Sequence, residues 1–421
     1  MFLNRSFWPD RQATGQFFTE LCDDLALEHR ITFIAGPACK RQQASTARGA
    51  MLWRRERRGR IEIVRTGGTR LPKRRLPLRI LNLASYFALA AAASQAVARP
   101  DLIVAATDPP LLGLMGAWLK RRWDCPLVYN VRDLYPDIAY INGGVRSLSL
   151  LKLLEYANRQ AFAAADCVIV LGNDMRDRIA AHGVAPDRIK VVTDWADCAA
   201  LKPPARNPLR ESFGGKFVVM YSGNLGLSQQ LETVIAAAER LRDDSRILFV
   251  LAGEGARKAS LEDWVAKHGL PNVRFLPCQP KERLAELLGA ADIHLIPLKD
   301  GAAGCLVPSK AYGIMAAGRP FVAIMDAHAE IARLAARHDI GVVVRPGDDS
   351  ALAAALQGLA IRPKDLALMG FKARQLALKS FDRTIVTRKF GEVLNSTARV
   401  NYAPQIAANS AKKPLAASIY G

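Results

Sequence analysis

Thirteen short runs of β-branched and apolar residues, each followed by a longer stretch with helical spacing, recur along the 421 residues of this chain. That alternation is the pattern of parallel strands joined by crossover helices. In the first half the runs are "FLN" (2–4), "ITFIA" (31–35), "IEIVR" (61–65), "DLIVAA" (101–106), "PLVYNV" (126–131), "CVIVLG" (167–172) and "IKVVT" (189–193). In the second they are "KFVVMYSG" (216–223), "ILFVLAG" (247–253), "VRFLP" (273–277), "IHLIP" (293–297), "FVAIM" (321–325) and "GVVVR" (341–345). Between the groups lies "LKPPARNPLRESFGG" (201–215), whose three prolines and two glycines break the periodicity. The expected fold class is therefore α/β, two doubly wound Rossmann-like domains facing across a cleft. The first spans 1–202, a linker covers 203–215, and the second spans 216–380. A helix over 381–398 has room to cross back to the first domain, and the tail 399–421 lacks periodicity and is expected to be disordered. Ligands of open α/β sheets bind beyond the carboxyl ends of the strands, which places a site between the domains.

With half its residues hydrophobic the chain is neither disordered nor fibrous. Its seven cysteines are odd in number, widely spaced and form no Cys-x-x-Cys pair, so disulfides and structural zinc are not expected and a reducing cytoplasm is. Met1 leads into polar "NRSFWPDRQATGQ", so no cleavable signal is expected. Nineteen residues from Ile80 to Ala98 carry no formal charge, close to the length that spans a bilayer. Asn82, Ser85, Ser94, Gln95 and a predominance of alanine suit a packed helix instead. The net charge of +20 is concentrated, with eleven Lys and Arg against two Glu in residues 51–80. Such a patch suits anionic lipid or nucleic acid, or is a solvated basic loop. Nucleic acid is disfavoured, because Trp53 is the only aromatic in the patch and no reader motif accompanies it.

Three strand-to-helix turns of the second half share one chemistry. "YSGNLG" places Gly223, Asn224 and Gly226 before a helix expected from about Gln230; "LAGEGARK" places Glu254 and Gly255 before Arg257 and Lys258. In "VPSKAYGIMAAGRPFVAI", Ser309 is a plausible N-cap, residues 311–317 fit one short helix and Gly318 stops it. Lys310 is then a cation at a helix start, which the macrodipole disfavours by roughly 0.3–1 kcal/mol. Each turn alone also suits an ordinary capped or solvated helix; together they point to a nucleoside diphosphate.

These motifs, with "FWPDRQATGQFFTELCDDLA" near the N-terminus, resemble retaining family-4 glycosyltransferases of the GT-B fold, and more closely the branch that builds bacterial surface polysaccharides such as O-antigen and colanic acid. The resemblance covers roughly residues 1–398. It implies a nucleotide-sugar donor on the second domain, an acceptor on the first, no cofactor and no obligatory metal; consistently, the chain holds no Asp-x-Asp triplet. It also exposes departures. Two glutamates expected eight positions apart fall on Cys305 and Gly313, and an arginine and a lysine expected in the first glycine loop fall on Asn224 and Gln229. Phosphate charge is left to Lys310, Arg257 and Lys258. Where the family has a histidine in its catalytic region, "NVRDLYPDIAY" carries Arg132, Asp133 and Asp137. Asp133 is the first candidate to orient an acceptor hydroxyl and Asp137 the second, while either also suits capping of the following turn. The loop from Asp10 to Gly15 would approach donor or acceptor across the cleft.

The expected activity is transfer of a hexose-type residue, with retention, to a polyprenyl-diphosphate-linked or saccharide acceptor in lipopolysaccharide or exopolysaccharide biosynthesis. A cytoplasmic protein is expected, peripheral on the inner face of the plasma membrane and seated on anionic lipid through residues 54–79. The alternatives are a nucleotide-sugar epimerase of the same fold and a non-enzymatic basic membrane- or nucleic-acid-binding module.

Overall fold

The computed structural model describes residues 1–10, 13–37, 52–69, 71, 76–143 and 147–410. Its first sheet is built from β1 (Phe2–Leu3), β2 (Ile31–Ala35), β3 (Trp53–Arg58), β4 (Ile61–Thr66), β5 (Ile103–Ala105), β6 (Leu127–Val131), β7 (Cys167–Val170) and β8 (Ile189–Val191), in the order β3-β4-β2-β1-β5-β6-β7-β8. The second contains β9 (Phe217–Ser222), β10 (Ile247–Ala252), β11 (Val273–Leu276), β12 (Ile293–Pro297), β13 (Phe321–Ile324) and β14 (Gly341–Val344), in the order β11-β10-β9-β12-β13-β14. Every described pairing is parallel except β3 with β4. Strands covered by helices on both faces are predominantly apolar, as β6, β10 and β12 are, each buried at every residue, with Asn130 and His294 the polar members. The strand order reverses between β1 and β5 in one sheet and between β9 and β12 in the other. Those two switch points open their carboxyl ends toward the junction of the domains.

The basic segment corrects one expectation. "WRRERR" is an antiparallel edge strand, not a loop, and much of its charge is paired: Arg55 with Glu62 at 3.3 Å, Arg58 with Asp23 at 2.8 Å, and Arg54 with Glu56 at 2.5 Å. Arg65, its side chain only 3% exposed, bonds Glu56 as well. A row of charges on an edge strand blocks further strand addition. Of the remaining patch, Arg70, Lys73, Arg74 and Arg75 lie outside the described residues.

The uncharged segment forms the helix Leu76–Gln95, which buries Tyr86, Ala90 and Ala93. Among the described residues no helix is long and apolar enough to cross a membrane. The last helix, Arg383–Ser410, runs past residue 398, where periodicity was expected to fail; residues 411–421 lie outside the described residues. Its Val386, Phe390 and Leu394 join Phe2, Phe18 and Phe33 of the first domain in one apolar cluster, and Arg383 grips Asp24 at 2.6 and 2.9 Å. Another cluster runs across the junction itself, uniting Leu134, Leu171 and Leu201 with Leu298, Val307 and Tyr312.

Candidate functional site

The two glycine loops of the second domain are stapled together. Leu225 N–H donates to Glu254 O at 2.9 Å and Arg257 N–H to Leu225 O at 2.9 Å. A Cβ on Gly253 would sit 1.9 Å from Gly223 O, and one on Gly255 2.2 Å from Leu225 O. Contact between the loops thus already demands glycine at Gly255, without a ligand. At Gly226 a Cβ would meet the Asn224 side chain at 2.5 Å, another internal reason.

The expected cations divide. Arg257 is ion-paired with Glu232, and Lys258 with Glu254 at 2.7 Å. Without a ligand both cations are thus paired with carboxylates of their own domain, Glu254 serving as the lysine's partner. Lys310 is different. Its ammonium is buried, has no hydrogen-bond acceptor among the described residues and lies 3.7 Å from the centroid of the Tyr221 ring. Burial pushes its pKa down from 10.5 to about 7. Tyr221, itself buried at the end of β9, donates its hydroxyl to Asn224 O at 2.6 Å, so one side chain fixes the glycine loop and underlies the lysine. Gly223, at φ +139°, approaches so closely that a Cβ there would lie 3.1 Å from Lys310 Nζ.

Lys310 opens the helix Lys310–Ala316. Ser309 occupies the N-cap position but its side chain makes no capping bond, contrary to expectation. Gly318 does end the helix, at φ +66°, with its N–H on Met315 O at 2.9 Å. A Cβ on Gly313 would face Leu201 and Leu288 at 3.6 Å. Cys305 is buried, and burial pushes its thiol up to about 11.

On the first domain, β6 delivers Arg132 and Asp133 to the junction. Arg132 grips the buried Asp194 through both terminal nitrogens, each at 2.8 Å, with its guanidinium 5.0 Å from the Phe17 ring, and is thereby committed to the domain interior. Asp137 accepts from Arg178 at 2.5 and 3.1 Å, so the second candidate carboxylate is also engaged. The Asp133 carboxylate makes no hydrogen bond or ion pair among the described residues. Burial raises its pKa from 3.8 to about 6, opposed by Arg132 and reinforced by Asp108 and Asp194. Its backbone pairs with Leu306 of the second domain. In the N-terminal loop, a Cβ on Gly15 would lie 2.9 Å from Asp10 Cβ, so that glycine lets the helix Ala13–Leu25 pack on the Asp10 turn. Arg11 and Gln12 lie outside the described residues.

Three residues at the β1/β5 switch point escaped the sequence reading. Asp108, just beyond β5, accepts from Ser6 Oγ at 2.6 Å and pairs with Arg5 at 3.2 Å. The signal was the polar pair Thr107-Asp108 ending a strand. Tyr221 was equally missed, being indistinguishable in sequence from a core aromatic.

Two doubly wound domains thus meet with a buried cation on one side of the junction and, among the described residues, an unpartnered carboxylate on the other. Solved structures place the fold: an Anabaena protein, Alr3699/HepE, crystallised with UDP, superposes with a TM-score of 0.69 at 18% identity over 94% of this chain and 99% of that one. WaaG, a glycosyltransferase involved in lipopolysaccharide biosynthesis, does so with 0.68 at 16% identity over 93% and 98%. The architecture is the GT-B fold. Residues 14–195 match the glycosyl transferase 4-like domain and residues 208–376 the glycosyl transferases group 1 domain, and the chain belongs to the glycosyltransferases that join the two. Relatives in sequence include the Escherichia coli K12 protein named as colanic acid biosynthesis glycosyl transferase WcaI, 28% identical over 404 residues, 91% of this chain and 97% of that protein. The Pseudomonas aeruginosa glycosyltransferase WbjE is 28% identical over 301 residues, 69% and 74% of the two chains.

Proposed function

We propose that this enzyme transfers a sugar from a nucleoside diphosphate sugar, held at the carboxyl ends of β9 and β12, to a hydroxyl presented beside Asp133. The observation that carries the reading is Lys310, whose buried ammonium has no acceptor among the described residues. An unpaired buried charge is costly, and a diphosphate supplies the missing oxygens. As the glycosidic bond to the donor breaks, charge grows on the diphosphate, where a preorganised cation lowers the barrier most. Asp133 orients the acceptor hydroxyl, whose oxygen bonds to the anomeric carbon as the bond from that carbon to the diphosphate breaks and whose proton passes to the departing phosphate oxygen; attack on the face from which the diphosphate leaves gives retention. The donor is a substrate, and the chemistry invokes no resident cofactor or metal. The names of WcaI and WbjE and the UDP bound by HepE support a nucleotide-sugar donor and a polysaccharide-building role. The acceptor we assign is a saccharide, free or on a polyprenyl diphosphate, met by a cytoplasmic enzyme peripheral on the anionic inner membrane face through residues 54–79. In that segment Arg57 is exposed and carries no ion pair among the described residues.

A thermal-shift screen of UDP, GDP and their sugars tests the donor. A ligand at 100 times its Kd stabilises by about 2.7 kcal/mol, a shift of several degrees. If no nucleoside diphosphate or its sugar shifts the melting point at millimolar concentration, the donor assignment fails.

A further inference from the structure

The loop from Lys299 to Leu306 joins β12 to the helix that carries Lys310, so it belongs to the second domain by sequence, yet the first domain holds it. Lys299 Nζ donates to Ile141 O at 2.6 Å, and Arg178 Nη1 donates to Ala303 O at 3.2 Å. Asp174 Oδ2 accepts from the Gly304 N–H at 3.2 Å, Leu134 N–H donates to Cys305 O at 2.7 Å, and Leu306 bridges to Asp133. Beside the loop two helix starts exchange carboxylates across the junction. Asp174 Oδ2 also accepts from Glu330 N–H at 2.9 Å, while Glu330 Oε2 accepts from Asn173 N–H at 2.8 Å. Close approach is built in: a Cβ on Gly172 would lie 2.9 Å from Glu330 Cβ, and one on Gly304 3.0 Å from Asp174 O.

Gly304 and Cys305 are buried, so their backbone groups need partners; the Cys305 N–H finds Ala302 O within the loop, while the Gly304 N–H and the Cys305 carbonyl are met from the other domain. Leu306 stands four residues before Lys310. At about 3.3–3.6 Å per residue the gripped end of the loop is therefore tied to Lys310 by no more than roughly 14 Å of chain. Arg178 grips from both sides, its other nitrogens holding Asp137 beside the acceptor strand.

We propose that Arg178 and Asp174 are positioning residues for glycosyl transfer: by holding residues 303–305 from the first domain they place Lys310 against the donor diphosphate. This rests on the donor reading above. The ammonium's own neighbours, Tyr221 and Gly223, belong to the second domain, so docking of the acceptor domain acts on Lys310 through the gripped loop, tying firm donor binding to a closed cleft that keeps water from an activated sugar.

The test is a double-mutant cycle on UDP and GDP affinity by calorimetry, with amide exchange of residues 299–306 followed in parallel. Arg178→Ala is expected to weaken binding about three- to tenfold and to speed exchange at 303–305, with Arg178→Lys recovering part of both. In a Lys310→Ala background the Arg178→Ala effect on affinity should vanish. An equal loss in both backgrounds, or unchanged exchange at 303–305, overturns the proposal. If the wild-type protein binds neither nucleotide, the donor reading falls instead, and the exchange experiment still decides whether Arg178 grips the loop.

Discussion

The two domains solve the same topological problem and leave opposite charges unmet. At the carboxyl edge of the first sheet Arg5, Arg132, Asp108, Asp137 and Asp194 are all paired, and Asp133 alone of the group is not, with burial raising it to about 6. At the edge of the second, Arg257 and Lys258 are paired and Lys310 is not, with burial lowering it to about 7. Each domain thus keeps one ionisable group near neutrality, a carboxylate suited to a hydroxyl and an ammonium suited to a phosphate. Pairing, more than residue type, separates the candidate machinery from the scaffold.

If that division of labour is right, Asp133→Asn should produce the largest change, lowering kcat by about 10²-fold or more with donor affinity intact, since a positioned carboxylate contributes to turnover. Steady-state kinetics beside calorimetry separates the two quantities, and a loss confined to donor affinity would break the comparison. Lys310→Ala should weaken nucleoside diphosphate binding about 10- to 100-fold, the worth of a charge-assisted contact. The same variant should melt higher without ligand, because it removes an unpartnered buried amine.

The pH dependence follows from the sign of the shift. Lys310 falls from 10.5 to about 7 on folding, so the folded protein binds fewer protons in that window and its unliganded stability gains from this group as pH rises. An anion restores the proton, so donor affinity should decline by up to about tenfold per unit above pH 7. Titration in two buffers of different ionisation enthalpy reads the proton uptake, and none at pH 8 would refute it. Arg257→Ala, which removes a cation already neutralised by Glu232, should change donor affinity by no more than about twofold.

The periodic strands were legible in sequence because a strand buried on both faces needs an unbroken apolar run, as in "ILFVLA" or "CVIV". β3 was not, since an edge strand held by arginine–carboxylate pairs has the composition of a solvated loop. At the site, the lysine of "VPSK" was readable as a charge where the helix dipole disfavours one. That Arg257 pairs with Glu232 was not, because the two lie 25 residues apart and only the fold brings them together, whereas the Glu254–Lys258 pair has the local i,i+4 spacing. For the same reason Glu330, whose partner Asn173 sits in the other domain, and Arg178, which joins Asp137 of its own domain to Ala303 of the other, left no local trace.

The final helix also has a consequence for the order in which the molecule can be made. Phe390, 3% exposed, completes an apolar cluster whose other walls include Phe2, Phe18 and Phe33. On a ribosome adding about 5–20 residues per second, the chain between β8 and that phenylalanine takes on the order of tens of seconds to appear. Throughout that interval the first domain, though entirely synthesised, stands with one wall of its interior missing. That interior is sealed only once the helix Arg383–Ser410 has been made, roughly two hundred residues after the last of the strands it covers.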